Sequence, residues 1–211
     1  MFVEQLAPLG LVILAAFHPE RHLRPDPTTR TLILIGPDGQ KFWPIIQESP
    51  EFRDGKPNPL DRWTSRIVPP IAETLNARPY FPFGQPYQPF FKWALASRQA
   101  WQSPVHLLVH ESQGLLVSFR AALAFDAKLE LPAKPANSPC ETCIGQPCRT
   151  ACPAKAMLPD RYDTATCHSF LNREPGLDCM SQGCQVRRAC PIGQSEQDPA
   201  RAAFHMAAFH S

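Results

Sequence analysis

All eight cysteines of this chain fall within its last 72 residues, in two blocks that each finish on Cys-Pro: Cys140, Cys143, Cys148 and Cys152-Pro153, then Cys167, Cys179, Cys184 and Cys190-Pro191. This run constrains the fold before any other feature does, because thiolates that share a metal centre must converge on it from several directions. A [4Fe–4S] cube takes four. Three come readily from one tight loop and the fourth from elsewhere; in chains that hold two cubes, the Cys before Pro ligates the other one. On that rule Cys140, Cys143, Cys148 and Cys190 hold one cluster, and Cys152, Cys167, Cys179 and Cys184 hold the second.

Two other uses of cysteine compete. A disulfide framework would staple the whole fold, yet the first 139 residues contain no cysteine, and the chain opens Met1-Phe2-Val3-Glu4 without the basic segment of a secretory leader. Structural zinc is the stronger rival, since Cys140-x2-Cys143 is a good half-site; zinc, however, wants its second pair some distance on, and Cys148 and Cys152 follow almost at once. The spacing also departs from the plain bacterial run. Ile144-Gly145-Gln146-Pro147 separates Cys143 from Cys148 where that pattern has two residues. Gly145, Pro147 and, in the second block, Gly183 can absorb the extra length as turns. Four-iron cubes are the favoured reading, and a two-iron centre in the first block is the alternative this spacing leaves open.

With 211 residues and 44% hydrophobic content, the chain can bury one core plus a small appendix. No apolar stretch is long enough to cross a bilayer; Leu9 to Phe17 is too short and reads as a buried strand. Together with reduced cysteines, this points to a cytoplasmic protein. The formal charge of +2 counts the cysteines as neutral; eight thiolates and two clusters of core charge 2+ would bring it to about −2. From Cys140 to Arg201 seven Lys/Arg face seven Asp/Glu. Nothing in that balance points to nucleic acid.

Twenty-five prolines predict short elements. Phe2 to Leu9 reads as a helix interrupted at Pro8, Leu11 to Ala16 and Thr31 to Ile35 as strands, and Lys41 to Gln47 as a helical turn or two. The best helix starts at Asn58-Pro59, with apolar positions Leu60, Trp63, Ile67, Ile71 and Leu75 and a kink expected at Pro69-Pro70. Val105 to His110 and Leu115 to Leu123 read as two arms of a hairpin around Glu111-Ser112-Gln113-Gly114. Lys128 to Pro135 reads as an extended crossing into the cysteine module, where single helical turns are expected near Arg149 to Cys152 and Thr164 to Leu171. Pro199 to His210 reads as an amphipathic helix with Phe204 and Phe209 inward.

Residues Pro79 to Trp101 hold eight of the 20 aromatics. Most simply these are core, but a flat cofactor ring, a flavin for example, would be comfortable among Tyr80, Phe83 and Tyr87. His106 and His110 alternate as strand residues that share a face, and could grip a cofactor with them. His168, beside Cys167, could tune a cluster.

The eight cysteines in this order, with Cys167-His168-Ser169-Phe170-Leu171 and Gly183-Cys184-Gln185 among them, resemble the ferredoxin module of epoxyqueuosine reductases and their reductive-dehalogenase relatives, where a lone fifth cysteine also precedes a Ser-aromatic-Leu segment. Upstream, His106-Leu107-Leu108-Val109 followed by Gly114-Leu115-Leu116-Val117-Ser118-Phe119 is similar to the hairpin that leads into that module, and to the strand pair of cobalamin-processing CblC-type proteins. The resemblance implies an α+β architecture: a small nitroreductase-like or CblC-like domain over residues 1–135 that could house cobalamin, then a loop-rich, two-cluster ferredoxin-like module over 136–211. It implies an oxidoreductase or electron-transfer protein that passes single electrons to a partner protein or to a bound cofactor.

Two departures bear on activity. Epoxyqueuosine reductases place an acidic proton donor ahead of the hairpin, and this chain has no Asp or Glu between Glu73 and Glu111. The twenty-one residues after Cys190 are too few for the helical-repeat extension that helps such enzymes bind tRNA. A cobalamin-dependent reductase would therefore need Tyr80, Tyr87 or His106 as its proton donor. A structural zinc module without redox chemistry is the third reading.

Overall fold

The structure is a computed structural model that describes residues 2–131, 133 and 137–211; the crossing expected over Lys128 to Pro135 lies partly outside them. In chain order the elements are α1 (Phe2–Leu6), β1 (Leu11–Phe17), β2 (Thr31–Pro37), α2 (Gly39–Gln47), α3 (Pro50–Arg53), α4 (Pro59–Thr74), β3 (Arg78–Tyr80), α5 (Phe90–Ser97), β4 (Ala100–Gln102), β5 (Leu108–His110), β6 (Ala121–Phe125), α6 (Thr164–Leu171), α7 (Leu177–Gln182), α8 (Gln185–Arg188) and α9 (Pro199–His210), with short 3-10 turns between them. The class is α+β. No helix among the described residues is long and apolar enough to cross a membrane.

The chain divides into two compact units, Met1–Ala100 with Ser118–Ala136, and Trp101–Val117 with Asn137–Ser211. Residues 101–117, assigned by sequence to the first domain, thus belong with the cysteine module. The reason is apolar packing: Val105, Val109 and Leu115 are buried with Cys148, Val186 and Cys190 in one cluster.

The first unit is built on an antiparallel sheet of order β1-β2-β6-β3. Every residue of the two inner strands is buried. A strand covered on both faces needs no polar alternation, which is why Leu32-Ile33-Leu34-Ile35 reads as a continuous apolar run. The outer strand β3 tolerates Pro79 because an edge needs no N–H on its open side. Helix α4 packs against β3 and β6, and α5 against β1. Helix α4 runs unbroken through Pro69 and Pro70. Its buried line is Leu60, Trp63, Thr64, Val68 and Ala72, one row round from the expected one; Ile67, Ile71 and Leu75 lie at its margin. Asn58 caps it by its backbone, in left-handed conformation, with no side-chain bond.

The expected hairpin is replaced by something tighter. Its turn forms, with His110 and Gly114 exchanging N–H···O bonds of 2.9 and 3.0 Å. The arms then part: β5 pairs with β4, whereas the second arm becomes strand only at Ala121 and joins β2 and β3. His106, at φ +62, stands in a turn before β5, where its amide bonds the Ser103 carbonyl. It therefore shares no strand face with His110.

One polar cluster ties β3 to the loop after β1. The Arg78 guanidinium bonds both Asp26 oxygens (3.0 and 3.1 Å) and Asp126, and the Tyr80 hydroxyl donates to Asp26 at 2.9 Å. Burial would raise the Asp26 carboxyl, but hydrogen bonds from Thr28, Thr29, Tyr80 and Arg78 outweigh it and hold the group well below the usual carboxylate range.

Two outcomes follow. Leu34, fully buried, should on replacement by Ala lower unfolding stability by about 3 kcal/mol, read as a lower urea midpoint by tryptophan fluorescence, while Ala at exposed Glu73 leaves it unchanged. The ionised Asp26 carboxylate contributes stability that is fully present above the unfolded-chain value of about 3.9 and drains as the pH falls from there through its depressed folded-state value. The urea midpoint of Asp26→Asn should accordingly be lower at neutral pH and decline less steeply on acidification than that of the parent.

Candidate metal centres

The cysteine loops of the second unit owe their shape to a few special backbone positions. Gly145 (φ +72) and Gln146 (φ +40) are successive left-handed residues, and Pro147 then opens a 3-10 turn, Pro147–Arg149, that carries Cys148. This is where the enlarged first loop takes up its extra length. Gln146 also stitches the loop: its amide donates to the Cys140 carbonyl at 3.2 Å and its oxygen accepts from Arg149 Nε at 2.6 Å.

Cys140, Cys143, Cys148 and Cys190 line one cavity, together with apolar Val109, Leu115, Pro139, Pro191 and Ile192. Two glycines let residue 190 come so close. A Cβ on Gly114 would stand 2.1 Å from the Ile192 carbonyl oxygen and 2.9 Å from Cys190 Sγ; one on Gly193 would stand 2.3 Å from the Gln113 carbonyl oxygen. Both have positive φ, at +55° and +75°. The Gln194 side-chain amide donates to the Cys190 carbonyl and the Arg187 guanidinium to that of Leu115, which completes the seam.

The other four cysteines are positioned by short helices. Cys167 lies on α6, which Asp163 caps by accepting the Thr166 amide at 3.0 Å. Cys179 lies on α7, and Cys184 is the N-cap of α8. Ala156 N–H donates to Cys152 Sγ at 3.3 Å. Gly183 (φ +88) ends α7 where a Cβ would meet that of Ala202, at 2.7 Å, so α9 packs tightly on α7.

All eight thiols are free, and Cys148, Cys179 and Cys190 are buried. Burial is the main cause that pushes the thiols of Cys140, Cys148, Cys167 and Cys179 above their ordinary value. The neighbouring thiolates add to it in two groups. Cys140 and Cys148 feel Cys190 and Cys143, whereas Cys167 feels Cys184 and Cys152, and Cys179 feels Cys184. Hydrogen bonds from Ser138 to Cys140, Tyr162 to Cys167 and the Gln185 amide to Cys179 work in the opposite sense. Among the described residues no three His, Cys, Asp or Glu side chains converge on a single-ion site. The donor set fits iron–sulfur clusters in kind: thiols only, in two groups, with the Ala156 N–H donating to one of the sulfurs.

The expected cofactor residues fall in both units. Tyr80, Phe83 and Tyr87 belong to the first unit, His106 and His110 to the second. The Tyr80 hydroxyl is spent on Asp26 and its ring meets Trp93 edge-on at 6.3 Å; Phe83 stacks on Phe81; Tyr87 is 72% exposed. His106 Nε2 lies 3.1 Å from the Leu158 carbonyl, which can only accept, so Nε2 carries the proton and Nδ1 accepts from Gln102. Buried His110 accepts the Ser112 and Gln113 amides at Nδ1 (3.2 and 3.3 Å) and so shapes the 110–114 turn. His168 packs edge-on against Phe209, at 4.5 Å, and near His210. Sequence reasoning did not find Gly114, Gly193 or Gln146; of these only the glycines leave a mark, a residue type that permits backbone-to-backbone approach.

The sequence matches no protein-family profile and no curated protein. In fold it is similar to a solved structure, the crystal structure of a selenomethionine-labelled epoxyqueuosine reductase, with a TM-score of 0.52 and 14% identity over 95% of this chain and 69% of that one. The likeness runs through both units.

A side chain at Gly114 must displace either Cys190 or Ile192. Gly114→Ala should therefore leave a protein that, after anaerobic reconstitution, binds about half the iron of the parent, while Gly55→Ala, where a Cβ meets nothing within 4 Å, binds as much.

Proposed function

We propose that this chain is an iron–sulfur redox protein of the reductase kind. Cys140, Cys143, Cys148 and Cys190 would hold one [4Fe–4S] cluster, and Cys152, Cys167, Cys179 and Cys184 the other. The observation that carries this reading is the cavity at which a sulfur from the end of the second block joins three from the first. A cluster supplies single-electron transfer at a potential set by ligation, hydrogen bonding and burial. The chain's own residues supply the rest. Burial of Cys148, Cys179 and Cys190 keeps water from the sulfurs, and the Ala156 N–H donates to Cys152 Sγ. Electrons would pass to a partner protein or to a cofactor at the first unit.

The second reading is a cobalamin-dependent reductase, favoured by a fold likeness to an epoxyqueuosine reductase that extends over 95% of the chain. It requires a proton donor other than an acid between Glu73 and Glu111. Tyr80 is poorly suited, because burial and its bond to Asp26 push its hydroxyl above the ordinary tyrosine value. Exposed Tyr87 is the better candidate of the two.

Prepared without oxygen, the protein should contain about eight iron and about eight acid-labile sulfides per chain and show broad visible absorption that dithionite bleaches. A colourless protein with about two zinc and no sulfide would replace this reading with the structural one. A spectral shift on adding cobalamin, absent with flavin, supports the second reading.

A further inference from the structure

We propose that the cleft outside Cys140 binds a small zwitterion of dipeptide size, its carboxylate on Arg149 and its ammonium on Glu141. The proposal adds a ligand to the outer face of the first cysteine set, and it rests on the cluster reading only where its test reads the cluster.

Two cavities of the second unit meet at this point. The inner one is lined by Cys140, Cys143, Cys148 and Cys190. The outer one, a cleft of about 470 Å³ that opens to solvent, shares Ser103, Pro104, Cys140 and Gln146 with it. That size suits a small molecule. The rest of its lining is polar, from Gln102, His106, Ser138, Glu141 and Arg149.

One cation and one anion stand in this cleft without pairing. Arg149 is oriented by its Nε, which donates to Gln146 Oε1 at 2.6 Å, and Gln146 donates in turn to the Cys140 carbonyl at 3.2 Å. Among the described residues nothing bonds the two Nη groups of that guanidinium. Glu141 accepts the Ser138 amide at Oε1, at 3.2 Å, and no described residue bonds its Oε2. His106 takes up the Gln102 side-chain N–H, which leaves the Gln102 oxygen as an acceptor.

Charge complementarity then selects the ligand. A simple anion drawn to Arg149 is repelled by Glu141, and a simple cation drawn to Glu141 is repelled by Arg149. A molecule that carries both charges meets each with its opposite. The guanidinium fork receives a carboxylate through two parallel N–H donors, and the Glu141 carboxylate accepts from an ammonium.

Calorimetry on the anaerobically loaded, full-length protein tests this with three probes: alanyl-glutamine, its N-acetyl form, which lacks the ammonium, and its C-terminal amide, which lacks the carboxylate. The free dipeptide should bind, and each blocked form should bind about tenfold more weakly, the equivalent of one charge-assisted hydrogen bond. Arg149→Gln and Glu141→Gln should each weaken the free dipeptide by a similar factor. Glu141→Gln keeps an acceptor for the Ser138 amide, so it decides the matter even where Arg149→Gln disturbs the cysteine loop. Because Cys140 forms part of the cleft wall, bound dipeptide should also alter the electron paramagnetic resonance spectrum of the dithionite-reduced parent. No binding of the free dipeptide, equal binding of a blocked form, or undiminished binding by Glu141→Gln overturns the proposal and leaves the cluster assignment standing. Binding with an unaltered spectrum also overturns it, by putting the site elsewhere. A parent that takes up no iron overturns the cluster reading instead, and calorimetry still decides the zwitterion site.

Discussion

A sulfur at position 190 reaches the cavity shared by residues 140, 143 and 148 because two pieces of backbone touch with no side chain between them. Gly114 lies against Ile192 and Cys190, and Gly193 lies against Gln113, each at distances no Cβ would allow. His110 makes the same turn rigid by accepting two of its amides, and the turn's own Leu115 is tied to α8 through Arg187. Segments 101–117 and 137–211 are one unit for this reason.

The core of that unit mixes Val105, Val109, Leu115 and Val186 with Cys148 and Cys190, so thiols occupy places that aliphatic side chains take elsewhere. Burial pushes the thiols of Cys148 and Cys179 above their ordinary value; on the proposed reading, ligation would expel their protons and couple metal binding to the folding of this unit. The first unit, with its two fully buried inner strands and its Arg78–Asp26 clamp, rests on ordinary packing and charge.

Legibility in the sequence followed the range of the interactions. Strands β1 and β2 and helices α4 and α9 announce themselves by apolar runs or helical period. The hairpin failed because tertiary pairing overrode local pattern: β6 gains two partners in the sheet by leaving β5, and His106 takes a left-handed turn that a β-like sequence conceals. The aromatic segment reads most simply as core, with a cofactor platform as the alternative; that its Tyr80 bonds a carboxylate 54 residues earlier is not visible in the pattern.

The central claim is that the two cysteine blocks exchange their final sulfurs, and paired substitutions test it most directly. In anaerobically reconstituted protein, Cys140→Ala/Cys190→Ala removes two members of one set, and Cys140→Ala/Cys152→Ala one member of each. The account predicts about four iron in the first double variant and almost none in the second. The reverse result, almost none in the first and about four in the second, would mean that each block ligates its own cluster, and would contradict it.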